Sequence, residues 1–167
     1  MKITIKDEDN TKQLLKTLKE IDKSQIDVGI VGGDSEIAMI AAVHEFGCEI
    51  QVTDKMRGWF GANGYPLKKE TTVIRIPERS FLRSGYDENI DKIAEQVERQ
   101  LPDVLENEVN LKIFMEGVGM QFAELIQKKL RDVKAPALSD MTIERKGSSN
   151  PLIDSGRLFG AIQHEVK

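Results

Sequence analysis

The sequence contains few of the residues on which small proteins base catalysis or covalent cross-linking. Its 167 residues include one cysteine, Cys48, and two histidines, His44 and His164. A single cysteine excludes a disulfide within the chain and is typical of proteins used in a reducing compartment. Aromatic residues make up only 5% of the chain, so a large ring on a loop is a feature that needs an explanation.

Long hydrophobic runs and an excess of positive charge are also missing. The longest mostly apolar run, Ile37 to Val43, is far shorter than the roughly 20 residues that cross a bilayer, and the first residues lack the apolar core of a signal peptide. The net charge is −4, whereas nucleic-acid affinity rests on a basic surface. We therefore expect no membrane partner, no general nucleic-acid binding, and a protein made and used in a cytoplasm or released by lysis. One basic cluster keeps a local nucleic-acid contact open as a further possibility: Lys128, Lys129 and Arg131.

The pattern of apolar residues predicts an α+β fold in one domain spanning residues 1–167. With 40% hydrophobic and 31% charged residues, the chain has an ordinary globular balance. We expect a mixed or antiparallel sheet packed by helices, with an excursion at 54–70 that forms a short helical insert between two strands. The polar, glycine- and serine-rich segment 135–151 is predicted to be a mobile loop. Strands are predicted at Ile3–Ile5, Ile26–Val31, Glu49–Thr53, Thr71–Ile76, which returns as a hairpin partner, and Leu158–Val166.

One predicted helix, Glu36 to Phe46, is apolar on nearly every side. Gly47 follows it as a helix stop. A helix of this composition is either fully buried or carries one face that meets another subunit.

No motif predicts a cofactor or a metal, although two arrangements resemble parts of such motifs. Gly29 to Gly33 follows a predicted strand but lacks the spacing of a dinucleotide or phosphate loop. His44 and Cys48 have poor spacing for a metal site. They could instead act as base and nucleophile of a small hydrolase, with Glu45 as the acid; a partly buried histidine near a helix end is the simpler interpretation.

The segment Val73 to Leu82 is an extended strand that runs into Pro77 and then a corner. Arg75 and Arg79 flank the proline. The corner is either a solvated strand end or a docking surface, with arginine as a multidentate donor and an aromatic anchor. We expect Phe81 to pack into the core and Arg79 to face outward to a partner.

Two adjacent rings, Trp59 and Phe60, lie in the glycine-rich excursion. Exposed large rings on a loop indicate a partner surface. The alternative is that they fold back over the core as a lid.

Three segments, in this order, resemble a family of tailed-bacteriophage virion-morphogenesis proteins, the neck or tail-completion proteins that join head to tail. They are Ala42-Val-His-Glu-Phe-Gly47, Val73-Ile-Arg-Ile-Pro-Glu-Arg-Ser-Phe-Leu82 and Asn150-Pro-Leu-Ile-Asp-Ser-Gly-Arg-Leu158. Met56-Arg-Gly-Trp-Phe60 is similar to an insert found in one branch of the family. The chain departs from the pattern after Pro77, where Glu-Arg-Ser replaces the commoner Ala-Arg-Pro.

The resemblance implies an α+β fold and a non-enzymatic structural role in the virion, reached from the host cytoplasm during assembly. It implies connector, neck and tail proteins as partners, and a homo-oligomeric ring in the assembled particle. Within that role, six side chains are the candidates for protein interaction: Trp59, Phe60, Arg75, Arg79, Phe81 and Arg157.

Overall fold

The protein has the predicted α+β fold. The computed structural model describes residues 10–32, 34–106 and 109–167; the strand predicted at Ile3–Ile5 lies outside them. Within these ranges no helix is both long and apolar enough to cross a membrane. The elements, in chain order, are α1 (Thr11–Lys23), β1 (Ile26–Ile30), α2 (Ser35–Phe46), β2 (Cys48–Gln51), α3 (Asp54–Ala62), β3 (Val73–Ile76), α4 (Leu82–Asp87), α5 (Ile90–Leu105), α6 (Leu111–Asp132), α7 (Asp140–Lys146), α8 (Arg157–Gly160) and β4 (Ile162–Val166).

The four described strands form two antiparallel pairs. β1 pairs with β4, from Ile26 opposite Val166 to Ile30 opposite Ile162. β2 pairs with β3, with Cys48 opposite Ile76. The second pair confirms the predicted hairpin partnership.

The long helix α6 forms the centre of the core. Asn110 caps it by accepting the backbone N–H groups of Lys112 and Ile113 at 3.0 and 3.3 Å. Its buried residues recur every four positions and pack against β1, β4, α4 and α5. They include Val118, Phe122, Ile126 and Leu130.

The excursion between β2 and β3 contains the predicted helical insert, α3. Thr53 caps it through the Met56 N–H at 3.2 Å. The guanidinium of Arg57 donates to the carbonyls of Lys68 and Thr71, each at 2.8 Å. A side chain in the helix therefore holds the return segment in place.

Two element predictions were wrong in part. The segment Leu158–Val166 is not one strand, because the short helix α8 precedes β4; Gly156, at φ +83°, turns the chain into that helix. The segment 135–151 is not a loop throughout, because it contains α7. Ser139 accepts the Thr142 N–H at its start, and Gly147 ends it in the left-handed region.

Candidate functional site

The three segments that carry the family resemblance lie together in the fold. The backbone N–H of Arg79 donates to the His44 carbonyl at 2.7 Å, which joins the first segment to the second. Phe81 of the second segment and Leu152 and Leu158 of the third lie in the same buried cluster. We call these three segments, 42–47, 73–82 and 150–158, the motif cluster.

The buried carboxylate of Glu45 binds the start of α4. Its Oε2 accepts the N–H groups of Phe81 and Leu82 at 2.8 and 2.9 Å. Its Oε1 accepts the Ser80 hydroxyl at 2.7 Å and the Arg83 N–H at 2.9 Å. Phe81, at the N-cap position, makes no side-chain cap of its own. A carboxylate from α2 therefore satisfies the free N–H groups of another helix.

This hydrogen bonding keeps Glu45 ionised. Burial alone raises the pKa of its carboxyl group, because it disfavours the charged form. The N–H groups of Arg83 and Leu82, followed by the Ser80 hydroxyl and the Phe81 N–H, outweigh burial and hold the pKa below its usual value. The Arg83 guanidinium adds a charge-assisted bond, with its Nε 3.0 Å from Oε1.

Gly47 allows the chain to leave α2 next to the corner. It has φ +72°, in the region that side chains rarely adopt, and a Cβ there would lie 2.9 Å from the Glu78 nitrogen. The glycine after His-Glu-Phe is thus required both by backbone conformation and by close contact with the second segment.

The prediction that Arg79 faces outward was wrong. Its side chain is 5% exposed. Its Nε donates to the Pro136 carbonyl at 2.7 Å and its Nη2 to the Ala137 carbonyl at 3.3 Å. A buried guanidinium needs acceptors, and the segment between α6 and α7 supplies them by folding over the corner.

The predicted core position of Phe81 is confirmed, since its ring is 0% exposed. The other candidates differ in their surroundings. Trp59 is 54% exposed and meets the half-buried Phe60 edge-on, with ring centroids 5.1 Å apart. Arg75 is exposed and pairs across the hairpin with Glu49 at 2.9 Å.

Arg157 joins the third segment to the start of α2. Its Nη2 lies 3.1 Å from Asp34 Oδ2 and 2.9 Å from Glu36 Oε2. Asp34 is also the N-cap of α2 and accepts the N–H groups of Glu36 and Ile37. These exposed ion pairs orient the chain more than they stabilise it.

A groove of about 770 Å³ lies beside the motif cluster. It is bordered by β3, by the insert with α3, by α2 and by α7 with the segment 151–158. We call it the β3 groove. Its apolar lining includes Ile40, Phe60, Leu67, Ile74, Leu138, Met141 and Leu152.

His44 also lines the β3 groove, without the surroundings of a catalytic base. Its Nδ1 is buried and has no hydrogen-bond partner among the described residues. Burial, together with the charges of Arg79 and Lys146, lowers its pKa and favours the neutral ring. Glu45, the acid of the hydrolase hypothesis, uses both oxygens to cap α4 and does not orient the ring.

The described residues contain no group of three or more His, Cys, Asp or Glu side chains that could hold a metal ion. Of the basic cluster considered for nucleic acid, Lys129 pairs with Glu88 and Arg131 lies over the Phe159 ring at 5.6 Å. Two of its three cations thus have contacts within the fold.

The outer face of α2 is apolar and exposed. Met39 and Phe46, seven residues apart on one side of the helix, are 60% and 64% exposed, while Ile37 and Ala41 on the other side are buried. The Arg83 guanidinium lies 4.8 Å from the Phe46 ring centroid. The helix is therefore not fully buried, so that alternative is wrong.

Sequence reasoning missed the central role of Glu45, because a carboxylate that caps a distant helix leaves no local pattern. It also missed the cations of α7, since that helix was predicted as loop.

Comparison of the chain with protein-family models, curated proteins and solved structures finds no match.

Proposed function

We propose that this chain is a structural protein of a phage or prophage virion that acts in head–tail joining or tail completion. It works by protein–protein assembly and carries out no catalysis. The proposal is supported by the ordered resemblance of the three segments, and by their meeting in one cluster, in which Glu45 and the Arg79 N–H join the first segment to the second. Their polar side chains bind the chain's own backbone, as expected for a rigid scaffold.

The observation that carries the proposal is the exposed outer face of α2. Met39 and Phe46 are 60% and 64% exposed, so covering what remains exposed would gain about 1–2 kcal/mol for each side chain. Exposed apolar clusters of this kind mark interaction surfaces. This face therefore contacts a neighbouring subunit or a connector, neck or tail protein in the assembled particle.

A ring is the assembly that suits this role. One copy presents the outer face of α2, and a different surface of the next copy covers it. Such heterologous contacts close into rings when the rotation between copies permits. The protein reaches the virion from the host cytoplasm, where assembly takes place.

The test places Met39→Asp and Phe46→Asp together in the gene of a phage or prophage that encodes the chain. The purified variant should keep its melting temperature within a few degrees, because both side chains are exposed. Particles should lack the protein, and heads should be found separate from tails by electron microscopy. Met39→Leu with Phe46→Leu is the matched control and should assemble normally. Normal virions from the aspartate variant would refute the proposal.

A further inference from the structure

The free edge of β3 faces the β3 groove. Within the described part of the chain β3 has one partner, β2. The consecutive residues Ile74, Arg75 and Ile76 all line the groove, whereas no residue of β2 is part of the lining. Successive residues of a strand point to opposite faces, so a cavity that touches three in a row runs along the edge of the strand. Backbone donors and acceptors on that edge are open to a ligand.

The far side of the groove provides apolar contacts. Leu138 and Met141 belong to the segment carrying α7, and Leu152 to the motif cluster. Met141 is partly exposed and can adapt its shape to different side chains. An extended segment lying between this wall and β3 would direct alternate side chains into the apolar lining.

The side chains that line the groove carry a net positive charge. Its five cations are Arg75, Arg79, Arg145, Lys146 and Arg157, and Asp154 is the one acid of the described lining. Arg75 and Arg157 pair with acids outside the groove. The other three form no salt bridge with the described residues, although the charge of Asp154 acts on Lys146. Lys146 donates to the carbonyls of Asn150 and Pro151 at 2.7 and 3.3 Å.

The protonation behaviour of Lys146 agrees with this charge distribution. Burial lowers its pKa; Asp154 opposes the change, and the neighbouring charge of Arg79 adds to it. A carboxylate from outside would relieve the repulsion between the two cations.

We propose that the β3 groove binds an extended acidic segment of a partner protein, which adds as a strand to the free edge of β3. Its carboxylates pair with Arg145 and Lys146, and its alternate apolar side chains contact Met141 and Leu152. The chemistry of the partner follows from the groove alone. That the partner is another virion protein rests on the proposed function.

The test selects ligands from an mRNA-displayed library of random decapeptides with the purified full chain as target. Selected peptides should carry Asp or Glu beside Val, Ile or Leu at two-residue spacing. Affinity is then measured by fluorescence anisotropy on the best synthetic peptide. The double variant Arg145→Glu with Lys146→Glu should weaken binding about tenfold or more. A new selection on that variant should yield Lys- or Arg-containing peptides instead.

The control variant is Arg99→Glu with Lys112→Glu, which changes the net charge equally at two exposed positions outside the groove. It should bind the peptide like the unaltered chain. Hydrogen exchange should also slow at Val73 and Arg75 when the peptide binds, because their N–H groups lie on the edge away from β2 and become paired.

Two outcomes of the selection would overturn the proposal: no enrichment of any peptide from the library, or selected peptides whose apolar residues have helical spacing. Two outcomes of the affinity measurements would also overturn it: equal binding of the peptide by both double variants, or displacement of the peptide by the oligonucleotide dT10. Equal affinity for a synthetic peptide of residues 1–10 would assign the groove to a second copy of the chain and refute the partner assignment. All these measurements use the isolated protein. A negative result in them would not bear on the proposed virion role. A negative result in the virion test would not change a positive peptide selection.

Discussion

Replacing Glu45 by glutamine should destabilise the fold severely while hardly changing side-chain volume. One carboxylate oxygen, which accepts hydrogen bonds, becomes an NH₂ group, which only donates them. This NH₂ group then faces protein groups that are donors themselves. If it replaces Oε2, the N–H groups of Phe81 and Leu82 lose their acceptor. If it replaces Oε1, the Ser80 hydroxyl and the backbone N–H and Nε–H groups of Arg83 lose theirs. At least two donors are then unsatisfied, and two cost about 1–3 kcal/mol each, or about 2–6 kcal/mol together. That is a large part of the roughly 5–15 kcal/mol that stabilises a typical domain.

Urea unfolding followed by circular dichroism measures this loss. Glu49→Gln is the matched control, because it makes the same chemical change in an exposed ion pair with Arg75. The control should stay within about 1 kcal/mol of the unaltered protein. If Glu45→Gln is as stable as Glu49→Gln, the capping role assigned to Glu45 is wrong.

The pH dependence provides a second measurement on the same residue. Because the pKa of Glu45 is lowered in the folded protein, its contribution to stability is fully present above the unfolded value, near 4.5. It is lost as the pH falls from there through the folded pKa. The unaltered protein should therefore lose stability in acid more steeply than Glu45→Gln.

The remaining predictions concern the core and the half-buried His44. Phe81→Ala removes a fully buried ring and should cost about 3–5 kcal/mol; an unchanged melting temperature would show that the ring is not core. Gly119→Ala should destabilise by about 1–3 kcal/mol, because its Cβ would lie 2.6 Å from His164 Cδ2. Gly117→Ala in the same helix meets no atom within 4 Å and should stabilise by up to about 1 kcal/mol; equal effects in urea unfolding would contradict this contrast. Since burial lowers the pKa of His44, stability should fall as the pH drops below about 6.5, and His44→Gln should remove that slope.

The sequence predicted the elements whose signals are local. The apolar helix α2, the hairpin of β2 with β3, and the insert α3 all follow from residues near one another in the chain. Phe81 could be placed in the core because a large ring between a strand and a helix has few other stable positions. α7 was missed although its signals were present, with Ser139 as a cap and Gly147 as a stop.

The rest could not be predicted because it depends on contacts between distant segments. Arg79 points inward because the carbonyls of Pro136 and Ala137 arrive from the far end of α6. Glu45 looks like any helix-face acid until Ser80 to Arg83 are placed against it. Local patterning shows which backbone groups at a helix end need a partner, but not which distant side chain will supply it.

The central claim, that the chain is a structural part of the head–tail junction or tail end, is tested most directly by deleting its gene from a phage or prophage that encodes it. Negative-stain electron microscopy of the lysate should show heads and tails that remain separate or tails with unfinished ends. Expression of the unaltered chain in trans should restore joined, infectious particles. Normal, infectious virions from the deletion strain would contradict the claim.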